Sequence, residues 1–169
     1  MMRTTQFSIF SLLVATASLW LGQSNVAVAS QGSKAYQTEC SACHIAYPTK
    51  GLSTKSWKAI MGNLSDHFGD NAELSTETTK LISQYLQNHA SGRRWFSSAT
   101  SKSNRITDTK WFHRAHNEVP SRWVTGNPKV KTFARCGACH LQAKRGNFNE
   151  DSVRIPGRSG GLGRRETDD

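Results

Sequence analysis

The chain has 169 residues, 36% of them hydrophobic, and carries 22 Lys/Arg against 12 Asp/Glu for a net charge of +10. A chain of this size supports one modest core or two small ones. Beyond the N-terminus, no segment approaches the roughly 20 apolar residues that a membrane-spanning helix requires, so the mature protein is expected to be soluble outside the cytoplasm.

The N-terminus reads as an export signal. Arg3 precedes an apolar run from Phe7 to Leu21, and Ala27-Val28-Ala29 gives the small-x-small pattern of a cleavage site after Ala29. The run is too short and too thinned by Ser and Thr for a retained anchor, the competing reading. Residues 1–29 are therefore expected to leave, and the remaining 140 residues to be soluble in the periplasm.

A short helix is expected from Ser33 to Ala42, leading into Cys40-Ser41-Ala42-Cys43-His44. The same pattern returns as Cys136-Gly137-Ala138-Cys139-His140. Two thiols three positions apart with an imidazole directly after are what covalent c-type haem attachment needs: each cysteine forms a thioether to a vinyl group, and the histidine becomes the proximal iron ligand. Zinc is the first alternative, but ribbon sites separate their pairs by about 15 to 20 residues. Here Cys43 and Cys136 are 93 positions apart. A redox dithiol or a pair of disulfides would leave the trailing histidines unexplained. Two covalently bound haems are expected, held by Cys40, Cys43, Cys136 and Cys139, with His44 and His140 on the irons. Each half of the chain is too small to stand without such a staple, so the apo-protein is expected to be largely unfolded.

After the first motif, Ile45 to Ser53 reads as a loop wrapping the haem edge. Trp57, Ile60, Met61, Leu64, His67 and Phe68 then fall on one helical stripe that ends at Gly69, with His67 on the buried face. A second helix is expected from Thr76 to His89, capped by Ser75. Residues 91–104 are polar and basic and read as a connector, in which Trp95 and Phe96 are expected to pack on a haem. Thr109 to Asn117 is expected to be helical, capped by Thr107 or Asp108 and ended by Pro120. Lys131 to Ala143 is expected to form a helical frame around the second motif, covered by Gly146 to Pro156. The tail 157–169 has no core-forming pattern and is expected to be disordered. Its glycines are not a phosphate loop, because no Gly-Lys-Ser/Thr follows. The resulting organisation is a signal peptide (1–29), a first haem unit (30–90), a connector (91–104), a second haem unit (105–156) and a tail (157–169).

Each iron needs a second axial ligand. With Met1 and Met2 in the export signal, only Met61 remains, so at most one haem can be His/Met. His67 is the choice for the first haem, because its helix must meet the porphyrin and Gly69 lets the chain turn there. His116 is the choice for the second, since it borders the Trp111/Phe112/Ala115 arc, whereas His113 points about 60° further towards solvent. His89 reads as a helix-end histidine offsetting the dipole, and Met61 as a core side chain. A crossed arrangement, in which His67 and His116 each serve the other haem, stays open.

Charge is uneven. From Ser30 to Gly92 there are five Lys/Arg against five Asp/Glu, and from Arg93 onward sixteen against seven. Four ionised propionates would lower the mature excess to about +5. An ordinary solvated surface and an acidic docking partner both fit the basic half, while nucleic acid is set aside for an exported haem protein.

The residues also match a known pattern. Tyr36-x-x-Glu39-Cys40-Ser41-Ala42-Cys43-His44-x-Ala46-Tyr47-Pro48, Ser56-Trp57-x-x-Ile60-Met61-x-x-Leu64, His67-Phe68-Gly69 and Tyr85-Leu86 resemble the bacterial dihaem cytochrome c family. So do Ile106-Thr107-x-Thr109-x-Trp111-Phe112, Arg114-x-His116-x-Glu118-Val119, the second motif, Ala143, Gly146, Phe148 and Arg154-Ile155-Pro156. The likeness runs from about Tyr36 to Pro156. It implies an all-α fold of two small haem-binding helical units with long loops, the first similar to class I cytochromes c. It also implies a periplasmic carrier with two bis-His haems, a membrane b-type cytochrome as electron donor and a small oxygen-binding c-type cytochrome as acceptor.

Electron transfer is the expected function, since a six-coordinate iron has no place for a substrate, and bis-His ligation lacks the Met that raises the potential. The alternative is a haem enzyme, a peroxidase or small-molecule reductase with one displaceable distal ligand and His113 with Glu118 pressed into acid–base work.

Overall fold

The structure is a computed structural model that describes residues 17–92 and 101–158. Among these, four α-helices are joined by loops and short 3₁₀ turns, with isolated bridges and no strand. The helices are α1 (Ala17–Cys40), α2 (Thr54–Met61), α3 (Thr76–His89) and α4 (Lys110–Ala115). None of them is long and apolar enough to cross a membrane.

The expected all-α fold is present. Its first core gathers Tyr36 from α1, Leu52, Trp57 and Met61 around α2, and Ile82 and Leu86 from α3. Helix α1 can approach α3 closely because Gly32 has no side chain: a Cβ there would lie 2.8 Å from Tyr85 Cβ and 3.0 Å from the Leu81 carbonyl. The two tryptophan indoles of this region tie down one loop, Trp57 Nε1 donating to the Thr49 carbonyl and Trp111 Nε1 to that of Gly51, both at 2.7 Å. Ile106, sequence-distant from the rest, completes the same core.

Helix α3 matches its expected bounds, with the Ser75 side chain accepting from Thr78 N–H. Elsewhere the elements differ. Helix α1 begins well before Ser33 and stops at Cys40. Helix α2 ends at Met61, where the Gly62 N–H bonds back to Lys58 and Ile60 carbonyls, so the stripe does not continue as an α-helix: Leu64–Asp66 is a 3₁₀ turn, and His67 and Phe68 lie beyond it. Helix α4 is shorter than Thr109 to Asn117, and its cap is Thr109, whose side chain accepts from Phe112 N–H, in place of Thr107 or Asp108. The Lys131 to Ala143 helix is absent: only 3₁₀ turns at Cys136–Ala138 and Ala143–Arg145 form there. Gly137 and the poor helix formers Thr132 and Cys136 cannot propagate a helix that no apolar stripe supports.

Beyond α4 the chain is held by its turns and a few long-range bonds. Arg154 N–H donates to the Cys139 carbonyl at 3.0 Å, and Asn127 Nδ2 to that of Pro156 at 2.7 Å. Val124, Val130, Ala143, Val153 and Ile155 are buried in this part. Trp95, Phe96 and the tail from 159 onward lie outside the described residues.

Candidate haem sites

Helix α1 delivers the first motif at its C-terminal end, where Cys40 is half-buried and Cys43 exposed. His44 follows, its ring anchored by an Nδ1 contact to the Ile45 carbonyl at 2.7 Å. His67 reaches the same place by a tight turn. Phe68 (φ 60°) and Gly69 (φ 106°) are both left-handed, and the His67 and Asp70 backbones bond to one another in both directions. Phe68 lies in a region that L side chains rarely adopt. Its ring is covered by the Arg105 guanidinium at 4.3 Å, a contact that helps hold the turn.

The outcome is that His44 and His67 face one another, with ring centroids 6.2 Å apart and planes within 18°. At the second motif His116 and His140 are also 6.2 Å apart, with planes at 73°. His116 is the C-cap residue of α4, and its Nδ1 is bonded to the Phe112 carbonyl at 2.9 Å. Two metal–imidazole bonds of about 2.0 Å plus two ring half-widths of about 1.1 Å span about 6.2 Å. Both separations fit one metal ion held between two imidazoles. Among the described residues no three His, Cys, Asp or Glu side chains converge on a point. Two imidazoles on opposite sides of a metal leave its remaining positions free for a macrocycle such as a porphyrin.

The second site has a hollow to receive such a group, about 610 Å³ in volume. Phe112, Val130, Phe133, Phe148, Val153 and Ile155 line it, with both cysteines and both histidines of the site at its wall. His140 Nδ1 is buried and has no hydrogen-bond partner. A buried polar atom left without a protein partner in an apolar hollow marks a ligand site. The residues fit a haem.

Electrostatics agree with metal ligation and disfavour thiol redox chemistry. Burial, with His44 adding to it, holds the His67 pKa below the ordinary histidine value. Burial and the neighbouring His116 do the same for His140. Such rings stay neutral near pH 7 and keep a nitrogen lone pair for a metal. Burial pushes the Cys40 thiol up to about 11, and raises Cys136 and Cys139 as well. A redox-active dithiol needs the opposite shift.

The remaining sequence candidates fall away from these pairs. Met61 is buried in the first core. His89 sits on Tyr85 with its Nδ1 on the Tyr85 carbonyl, and His113 is exposed. The structure thus brings His67 to His44 and His116 to His140, the uncrossed arrangement. Sequence reasoning missed the aromatic packing around the rings. Tyr47 lies on His44, Phe112 on His116, and Phe133 and Phe148 flank the second pair. Helical spacing of Phe112 and His116 could have found the second of these contacts.

Comparison with known proteins points the same way. The sequence pattern of the dihaem cytochrome c family, abbreviated DHC, matches residues 36–148. No curated protein matches the chain by sequence. Among solved structures, a diheme cytochrome type c from Shewanella baltica is 42% identical, with a TM-score of 0.65, over 75% of this chain and 94% of that one. A diheme cytochrome c from Rhodobacter sphaeroides is 37% identical, with a TM-score of 0.60, over 68% of this chain and 95% of that one. A second structure from Rhodobacter sphaeroides, described as DHC, is 35% identical with a TM-score of 0.55, over 68% and 96% of the two chains.

Proposed function

The chain belongs to the dihaem cytochrome c family, and on that premise we propose that it is a periplasmic carrier with two bis-His haems. It carries two covalently attached c-type haems and has a haem-based electron-transfer role. Within that role, single electrons pass from a membrane-bound b-type cytochrome to a small oxygen-binding c-type cytochrome. Export through a signal peptide cleaved after Ala29 brings the chain to the compartment where c-type haem is attached.

The observation that carries the ligand assignment is the pair of 6.2 Å separations, His44 to His67 and His116 to His140. When bound, each haem supplies a reversible one-electron change at iron. Cys40 and Cys43 fix the first, and Cys136 and Cys139 the second. The four histidines would hold the two irons, His44 with His67 and His116 with His140, which would leave no place for a substrate. Without a Met ligand both potentials are low. The backbone carbonyls of Ile45 and Phe112 orient the His44 and His116 rings from behind, as outer partners of metal-bound histidines do.

Two measurements test this. Mass spectrometry of the mature holoprotein should show two haem additions and a chain beginning at Ser30. Carbon monoxide added to the reduced protein should leave its Soret band unmoved, and His67→Ala or His116→Ala should each open one site to it. A wild-type Soret shift would favour the enzymatic reading with a displaceable ligand.

A further inference from the structure

Each facing pair has one imidazole pressed flat against an aromatic ring. Tyr47 lies on His44, centroids 4.7 Å apart and planes 21° apart. Phe112 lies on His116 at 3.9 Å and 19°. Those two imidazoles are also the ones whose Nδ1 is bonded to a carbonyl, of Ile45 and Phe112 respectively. A ring stacked on one face and bonded at one edge cannot turn about its Cβ–Cγ bond.

The aromatic partners are themselves fixed. The Tyr47 hydroxyl donates to the Ala134 carbonyl at 3.2 Å, and the Tyr47 carbonyl accepts from the Tyr36 hydroxyl at 2.6 Å. Phe112 is buried, with Phe133 edge-on at 5.9 Å and Trp111 at 6.0 Å. One ring of each pair is therefore fixed, and the two pairs stand at different angles, 18° at the first and 73° at the second.

We propose that Tyr47 and Phe112 are positioning residues that set these two ring-plane angles, and that the difference makes the two haems electronically unequal. The proposal rests on the ligand assignment given above. An axial imidazole donates π density to iron through the orbital perpendicular to its own plane. Two near-parallel rings address the same iron d orbital and lift it away from its partner. Two near-perpendicular rings address both orbitals alike and leave them close in energy.

The unpaired electron of low-spin ferric iron resides in this orbital pair. Splitting the pair stabilises the ferric state, so near-parallel rings lower the potential and near-perpendicular rings raise it. The surroundings act in the same direction. The second site lies in an apolar hollow within the basic half of the chain, which favours the less positive ferrous state. Within the molecule one electron would then pass from the haem held by His44 and His67 to the haem held by His116 and His140. No bond is made or broken and no proton moves.

The test is low-temperature EPR and redox titration of the oxidised, fully loaded protein. Wild type should show two low-spin signals: a rhombic one with well-separated g values, and a broad one with a single large g value belonging to the more positive haem. Tyr47→Leu should displace the rhombic signal and leave the other in place, while Tyr47→Phe, which keeps the stacked ring, should restore it. Phe112→Leu should displace the broad signal alone. Two matching rhombic signals in wild type, or an unchanged spectrum in Tyr47→Leu, would overturn the proposal while leaving bis-His ligation intact. A high-spin or Met-type signal in wild type would instead remove the ligand assignment beneath it. The Tyr47 variants decide the matter even where Phe112→Leu does not accumulate.

Discussion

The Tyr47 hydroxyl and the Ala134 carbonyl meet at 3.2 Å, joining the loop after the first Cys-x-x-Cys-His motif to the segment before the second. Beside this bond, Ile45 Cγ2 lies 3.9 Å from where a Cβ on Gly137 would be. The two haem-bearing segments are thus in direct contact. The bond is long for a hydroxyl donor and lies at the surface, so it belongs at the low end of the net hydrogen-bond range, about 0.5 kcal/mol. Tyr47→Phe should lower the melting temperature of the loaded protein by about 1–2 °C, read from Soret circular dichroism. A drop several times larger would mean that the hydroxyl does more than join two loops.

Gly51 sits under Ile106, and a Cβ there would lie 2.2 Å from Ile106 Cδ1 and 2.9 Å from Cγ1. Its carbonyl is also the acceptor for the Trp111 indole. The loop therefore cannot simply back away from the clash. Gly51→Ala should destabilise the loaded protein by about 1–3 kcal/mol, the usual cost of overpacking a fixed core. Ile106→Val removes the nearer methyl, so the double variant should recover part of the loss. Denaturant titration of the three variants measures both effects.

What could be read from the sequence was whatever local chemistry dictates. The two motifs are written out in full, and α3 follows from the Ser75 cap and a clean apolar stripe. His67 shows where this reasoning stops. Its residue spacing fits a helix, but Gly62 ends α2 at Met61, and His67 is brought to His44 by the left-handed Phe68 and Gly69. The expected helix is present only as far as Met61, and His67 meets His44 from a turn beyond its end. Around the second motif the stripe is missing, because there the apolar partner is a haem and leaves no period in the sequence. Ile106 in the first core was unreadable for a different reason: only a long-range fold brings it over Gly51.

The hollow at the second site leads to a prediction about haem loss. An apolar cavity of about 150 Å³ can persist in a well-packed protein. This one is about 610 Å³ and is walled largely by turns and loops. Cys136→Ala/Cys139→Ala protein, unable to fix the second haem, should keep the first core but lose order beyond α4. Limited proteolysis should cut it between residues 117 and 158 at concentrations that leave wild type whole. Equal resistance of the two proteins would show that the second half folds without its haem.

Charge asymmetry yields a prediction about partners. Lys129, Lys131, Arg135, Lys144 and Arg145 are all exposed around the second site. Leu141, directly after His140, is 65% exposed and provides an apolar contact within this basic segment. Residues 30–92, in contrast, balance five basic against five acidic side chains. An acidic electron acceptor should therefore be steered to the second site, and steering of this kind raises association rates by about 10- to 1,000-fold at low salt. At physiological ionic strength the screening length is already about 8 Å, so most of that gain should be lost as salt rises. Stopped-flow reduction of an acidic c-type cytochrome by the loaded protein reads this directly. Lys144→Glu/Arg145→Glu should slow it severalfold at low salt and little at high salt, whereas Lys55→Glu/Lys58→Glu on the balanced half should have a smaller effect. Equal slowing by the two charge reversals would mean that net charge, and not the surface around the second site, governs the encounter.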